Sequence, residues 1–297
     1  MARTLEYLIE PSCAGTTVDH YLRNLGYSKH VILQLKKNPG HILAGEKPVF
    51  TNYCLLPGET LRIRIPDDIP SQTIVPVPMA LDIVYEDEDI LVVNKAAGVP
   101  IHPSLGNFTN TLANGLAYYF SSRNIPFIYR ATGRLDKDTS GLLVIAKHML
   151  SACILSSMMA QRQIHREYLA VALGKVPMEG IIDAPIARVG DSIIQRKVDF
   201  HLGESARTHY RRISYHERLD VSLVSLRLET GRTHQIRVHM SYIGHPLPGD
   251  FLYCPDYSLI NRQALHSHTL CFLHPITKKE LHFEAPLPDD MKFVFQS

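Results

Sequence analysis

Residues 131–147, ATGRLDKDTSGLLVIAK, decide how the chain is read. A charged stretch with Asp136 between Arg134 and Lys137 passes through Thr139, Ser140 and Gly141 into an unbroken apolar run. A short apolar run bounded by turn residues reads as a strand buried on both faces, so Asp136 stands at its mouth. A carboxylate in that place ordinarily serves its own turn. Here two hydroxyls and a glycine can orient it, and two neighbouring cations favour the ionised, nucleophilic form. An ionised aspartate in a basic cleft suits chemistry on an anionic polymer.

Downstream, residues 151–163 read as a helix with Ile154, Leu155, Met158 and Met159 facing inward. In 166–176 the side chains alternate, so Tyr168, Ala170 and Ala172 share one strand face and Leu169, Val171 and Leu173 the other. Tyr168 is thus a lone large aromatic on a face of small residues. Further on, 224–246 changes from strand to helix at Gly231, with Thr233 as expected N-cap, Ile236, Met240 and Ile243 on one stripe and Gly244 at the end. Upstream, 81–104 gives a strand, a turn and an exit loop, and 111–120 a short helix.

Four prolines, Pro66, Pro70, Pro76 and Pro78, disfavour helix and central strand alike and mark a linker, set at 71–79 between a small domain over 1–70 and a larger one over 80–297. The small domain reads as two short helices followed by strands, with Ser28 as an N-cap. On the second helix Val31, Ile32 and Leu35 fall on one face and Lys29, His30, Lys36 and Lys37 opposite. That face is either simply solvated or a phosphate-binding surface. The segment 17–65 carries seven Lys or Arg against three acids, which favours phosphate and makes Lys29, Lys36 and Lys37 RNA-binding candidates.

With 297 residues, 45% of them hydrophobic, the chain can bury a full core. A net charge of only +2 means that an anionic partner must be met by local basic clusters. Five scattered cysteines without C-x-x-C suit a reducing compartment. No run approaches a membrane span and the N-terminus lacks the order of a signal peptide, so a cytoplasmic location is expected. Phosphate-loop, dinucleotide, H-E-x-x-H and G-x-S-x-G signatures are missing, and the His165-x-Glu167 pair has no P-C-x-x-C to complete a zinc deaminase. Acid chemistry without metal, nucleotide or other cofactor remains.

The segment GRLDKDTSGLLVIAK resembles the catalytic segment of the RluA-type large-subunit rRNA pseudouridine synthases. GVPIHPS at 98–104, REYLAVALG at 166–174, ETGRTHQIRVHM at 229–240 and QALHSHTLCFLHP at 263–275 follow in that family's order. Gly133 stands where the family often has histidine. The N-terminal pattern in turn resembles the small RNA-binding domain of some ribosomal proteins and tyrosyl-tRNA synthetases. The resemblance implies an α+β catalytic domain on a mixed, largely antiparallel sheet with a central cleft, preceded by a small α/β RNA-binding domain. It also implies isomerisation of uridines in rRNA or tRNA after the target nucleotide is flipped out. Asp136 would be the essential acid and Tyr168 would pack against the base. Arg232 would pair with the aspartate, Arg134 would enter the vacated space, and Leu265 would wall the pocket. A monomer is expected.

Two other readings compete. A non-catalytic RNA-binding protein or RNA chaperone would explain the basic N-terminal segment, and an RNA or DNA glycosylase would also place a carboxylate beside C1′. Mass separates them: isomerisation leaves RNA mass unchanged, and hydrolysis loses a base.

Overall fold

A computed structural model describes residues 3–67, 69, 73–190 and 192–295. The N-terminal part is a four-stranded antiparallel sheet in the order β1-β4-β2-β3. Its strands are β1 (Thr4–Leu8), β2 (Ile42–Ala44), β3 (Lys47–Pro48) and β4 (Thr60–Arg64), with helices α1 (Val18–Asn24) and α2 (Lys29–Leu35) between the first two. The helices start where side-chain oxygens meet free amides: Thr17 accepts from His20 N–H at 3.4 Å and Ser28 from Val31 N–H at 3.3 Å. Strand β1 precedes both helices, an element absent from the sequence reading. Lys29, Lys36 and Lys37 are exposed, and Val31, Ile32 and Leu35 are buried.

The second part is a nine-stranded sheet in the order β5-β6-β7-β14-β8-β13-β12-β9, with β15 paired to β14. In chain order these are β5 (Ile83–Glu86), β6 (Ile90–Lys95), helix α3 (Leu112–Ser121), β7 (Ser140–Ala146), helix α4 (Met149–Ala160), β8 (His165–Leu173) and β9 (Glu179–Asp183). A side hairpin of β10 (Ile186–Arg188) and β11 (Arg196–Val198) follows. Then come β12 (Arg207–His216), β13 (Val221–Leu228), helix α5 (Gln235–Tyr242), β14 (Leu265–Leu273) and β15 (Glu280–Glu284). Residues 83–95 form a hairpin of two strands rather than a strand with an exit loop.

All named pairings in this sheet are antiparallel except β7 with β14, which meet over His266 opposite Ser140 and Ser267 opposite Gly141. Gly141 has φ +111°, and a Cβ there would stand 2.2 Å from the Ser267 carbonyl oxygen. Only glycine lets the two backbones approach so closely. Strand β7 is buried along its whole length. On β8, Tyr168, Ala170 and Ala172 belong to one apolar cluster and Leu169 and Val171 to another, as the alternation requires.

A third cluster runs from the N-terminal sheet and its helices onto β6, β7 and α4. Arg3 Nε also donates to Asp89 at 2.8 Å, tying the chain ahead of β1 to the turn between β5 and β6. Ser71 and Gln72 of the expected linker, and Pro70 just before it, lie outside the described residues. Beyond them the chain is bound to α3: Asn114 Nδ2 donates to Val75 O at 2.8 Å and Val77 N–H to Asn114 O at 3.1 Å. Among the described residues, no helix is long and apolar enough to cross a membrane.

Candidate active site

The segment before β7 folds back along it, with Ala131 bridged to Ile145, and the side chain of Leu135 anchors it in the core. The next residue, Asp136, is thereby turned into a cleft of about 830 Å³. Two buried cations clamp the loop from behind. Lys95, 2% exposed, gives its three ammonium protons to Ala96 O at 2.9 Å, Val99 O at 2.8 Å and Lys137 O at 2.8 Å. Burial pushes this ammonium down to about 7. Arg262 donates to Asp138 O at 3.1 Å and is itself held by Asp290 at 2.6 Å.

Asp136 Oδ2 accepts from Arg237 Nη1 at 2.8 Å. Arg237 is 1% exposed and grips the fully buried Asp250 through Nε at 2.6 Å and Nη2 at 2.8 Å. One planar guanidinium thus bridges two carboxylates, and its pKa is raised because those hydrogen bonds and charges outweigh the burial that opposes it. His234 places Nε2 3.9 Å from the same Oδ2.

The expected pair between Asp136 and Arg232 is not formed. Arg232 precedes the helix, its side chain is 39% exposed, and its guanidinium turns to the Glu204 carboxylate and, at 3.0 Å, to Ser205 O. Five residues on, Arg237 sits among the buried residues of α5 and reaches the cleft from inside. Thr233 does not cap that helix either: His234 takes the N-cap position, with left-handed backbone at φ 57° and no side-chain cap bond.

The other candidates gather in the cleft. Tyr168, 6% exposed, and Leu265, 5% exposed, line it from adjacent strands β8 and β14, and Arg134 and Arg232 stand on its exposed side. Met159, expected in the core, is half-buried and contributes to the lining. Gly133 lies against Arg166, whose Nη2 would be 2.5 Å from a Cβ at that position, and Arg166 Nε and Nη2 are buried with no hydrogen-bond partner among the described residues. Lys29, Lys36 and Lys37 do not line this cleft. A second hollow of about 440 Å³, lined by Glu167, Glu179, His209 and Arg211 among others, lies beside β9 and β12. Glu167 there is already engaged by Ser225 at 2.5 Å, and the buried ion pair belongs to the larger cleft.

Sequence reasoning missed Arg237, Asp250, His234, Lys95 and Arg166. For Arg237 a signal was present: it neighbours Ile236 within the apolar stripe of a helix, where a charge needs a buried partner. Nothing local announced Lys95, whose acceptors are all backbone oxygens.

The family described as RNA pseudouridylate synthase matches residues 89–242, a span that includes Asp136, Tyr168 and Arg237. The chain is 42% identical over 276 residues to the uncharacterised RNA pseudouridine synthase YjbO of Bacillus subtilis, covering 93% of this chain and 96% of that protein. It is 40% identical to ribosomal large subunit pseudouridine synthase D of Neisseria meningitidis, covering 94% and 77% respectively. Among solved structures, human RNA pseudouridylate synthase domain containing 1 superposes with a TM-score of 0.58 at 29% identity, over 70% of this chain and 83% of that one. The matched span takes in much of the cleft, the similar proteins cover nearly the whole molecule, and the chain therefore belongs to the RNA pseudouridylate synthase family, isomerases that convert uridine to pseudouridine within RNA.

Proposed function

We propose that the chain isomerises uridines of large-subunit ribosomal RNA, with Asp136 as the reacting acid. The carrying observation is the Asp136–Arg237 pair at 2.8 Å in a cleft large enough for one nucleotide. A similar relative whose name specifies the ribosomal large subunit supports the choice of RNA. In the reaction the N1–C1′ bond breaks and the C5–C1′ bond forms, the proton on C5 leaves and N1 gains one. Mass is unchanged. The target must be flipped out of the fold, at a cost of a few kcal/mol that phosphate contacts offset.

In this reading Asp136 attacks C1′ or removes a sugar proton, and Arg237 supports its charge. Tyr168 packs on the base and Leu265 walls the pocket, so the detached uracil stays in place. Arg134, exposed beside the cleft, enters the gap left in the RNA. Residues 1–70 form the small RNA-binding domain with Lys29, Lys36 and Lys37 on phosphates, joined through 71–79 to a catalytic domain over 80–297. The protein works in the cytoplasm as a monomer, without nucleotide cofactor or metal.

The test is tritium release from large-subunit rRNA transcripts labelled at uridine C5, with RNA mass followed in parallel. Release at constant mass is expected, and Asp136→Asn should abolish it while RNA affinity stays within a few fold. Turnover by that variant above a hundredth of wild type, or loss of a base, would sink the assignment.

A further inference from the structure

The residue beside the ion pair, His234, is held in an unusual way. Its backbone is left-handed, a conformation that strains most residues with a Cβ, yet its side chain gives the helix that follows no cap. The conformation instead turns the ring inward: the side chain is 12% exposed, with Nδ1 3.1 Å from Tyr253 Oη and Nε2 3.9 Å from Asp136 Oδ2.

Partners on the far side favour one tautomer. Tyr253 Oη accepts the Arg196 backbone N–H at 2.9 Å, so its own hydrogen is free to go to His234 Nδ1. Nδ1 is then the acceptor and Nε2 carries the hydrogen, directed at the carboxylate. Burial pushes the imidazole below its ordinary pKa, Arg237 and Arg196 push the same way, and Asp136 and Asp250 only partly oppose them. The ring is neutral at pH 7. Burial also raises the Tyr253 phenol, which keeps its hydrogen.

Resting on the reading of Asp136 as the reacting acid, we propose that His234 is a positioning residue whose Nε2–H, with Arg237, occupies Asp136 Oδ2 and leaves Oδ1 to face the uridine sugar. Arg237 already donates to Oδ2, and Oδ1 has no hydrogen-bond partner among the described residues. At 3.9 Å the His234 contact is too long for a hydrogen bond, and a movement of about 1 Å makes one. The carboxylate would then be held at one oxygen by two donors from one segment, and its rotation about the Cβ–Cγ bond stopped.

Imidazole nitrogen NMR of the intact protein tests the lock without any RNA: Nδ1 should be unprotonated and Nε2 protonated from about pH 7 to 8, and Tyr253→Phe should mix the tautomers. In tritium release, His234→Asn, which tolerates left-handed backbone, should lower kcat at least tenfold with KM nearly unchanged and move the acid limb of the pH profile upward. His234→Gln, whose amide N–H can reach the same oxygen, should recover most of kcat. A ring protonated at Nδ1 overturns the proposal, as does His234→Asn with wild-type kcat and pH profile. If His234→Asn does not fold, Tyr253→Phe decides, since it keeps the imidazole: unchanged kcat rejects the lock. Failure of the wild type to release tritium from rRNA transcripts would instead count against that substrate, while the NMR result still judges the tautomer.

Discussion

Asp136 and Arg237 lie 101 residues apart in sequence and 2.8 Å apart in space, and the same guanidinium holds the buried Asp250. The loop before β7 and the first turn of α5 are therefore joined by one side chain. Arg237→Met would leave Asp250 charged, buried and unpaired, and breaking such a pair typically costs about 3 to 5 kcal/mol. Denaturant unfolding should show that loss, and any residual activity should have its acid limb at higher pH, because a neighbouring cation favours a carboxylate. Arg237→Lys should be intermediate, since an ammonium cannot span both carboxylates as a planar fork.

Arg232 makes a contrasting prediction. Its pair with Glu204 is exposed, so Arg232→Ala should change stability by no more than about 1 kcal/mol. A loss as large as that of Arg237→Met, measured by the same denaturant titration, would refute the difference in their surroundings.

Lys95→Met should be among the most destabilising single changes on the cleft side. The variant removes the shared donor of three partly buried backbone carbonyls, those of Ala96, Val99 and Lys137, a loss of roughly 2 to 3 kcal/mol. Thermal unfolding at pH 6, with the ammonium charged in the wild type, reads the difference. A melting temperature within a degree of wild type would mean that the loops hold each other without the lysine.

Stability should also fall with acid through Asp89. Burial alone would push this carboxyl up, but hydrogen bonds from His148 and Arg3 outweigh it and hold it at about 2. A depressed carboxyl contributes stability that is fully present above its unfolded value near 4 and lost as pH falls through the folded one. About 2 kcal/mol is at stake. The stability gap between wild type and Asp89→Asn should therefore close between pH 4 and 2, and a gap constant over that range would contradict the linkage.

The phosphate contacts proposed for the exposed Lys29, Lys36 and Lys37 are tested by binding rather than by folding. Changing all three to glutamine should weaken RNA binding and flatten its salt dependence by about 0.7 to 0.9 per lost phosphate contact in log affinity against log salt. An unchanged slope would make them a solvated helix face.

What the sequence made legible follows from periodicity. Strand β7 announced itself as an unbroken apolar run, and the placement of Tyr168 over Ala170 and Ala172 came directly from alternation along β8. What stayed hidden depended on distant backbone. Thr233 has the right chemistry for an N-cap, but the chain needs His234 there in left-handed form to turn its ring inward. Met159 has the helical spacing of a core residue, yet α4 covers only part of its circumference and leaves that position to the cleft. The family resemblance implied Arg232 as the partner of Asp136, and only the start of α5 decides which arginine arrives.

The parallel seam between β7 and β14 has a consequence for how the molecule is born. Its paired residues are 126 positions apart, and the strand that completes the cleft floor begins at Leu265. At the usual pace of synthesis, about 5 to 20 residues per second, Asp136 leaves the ribosome roughly 5 to 20 seconds before Arg237 and longer still before β14. During that interval the strand has no partner on one side and the carboxylate no guanidinium. An unfinished chain can hold its N-terminal sheet and α4 together, but its cleft is not yet built, so modification of a uridine has to wait until β14 has emerged and joined β7.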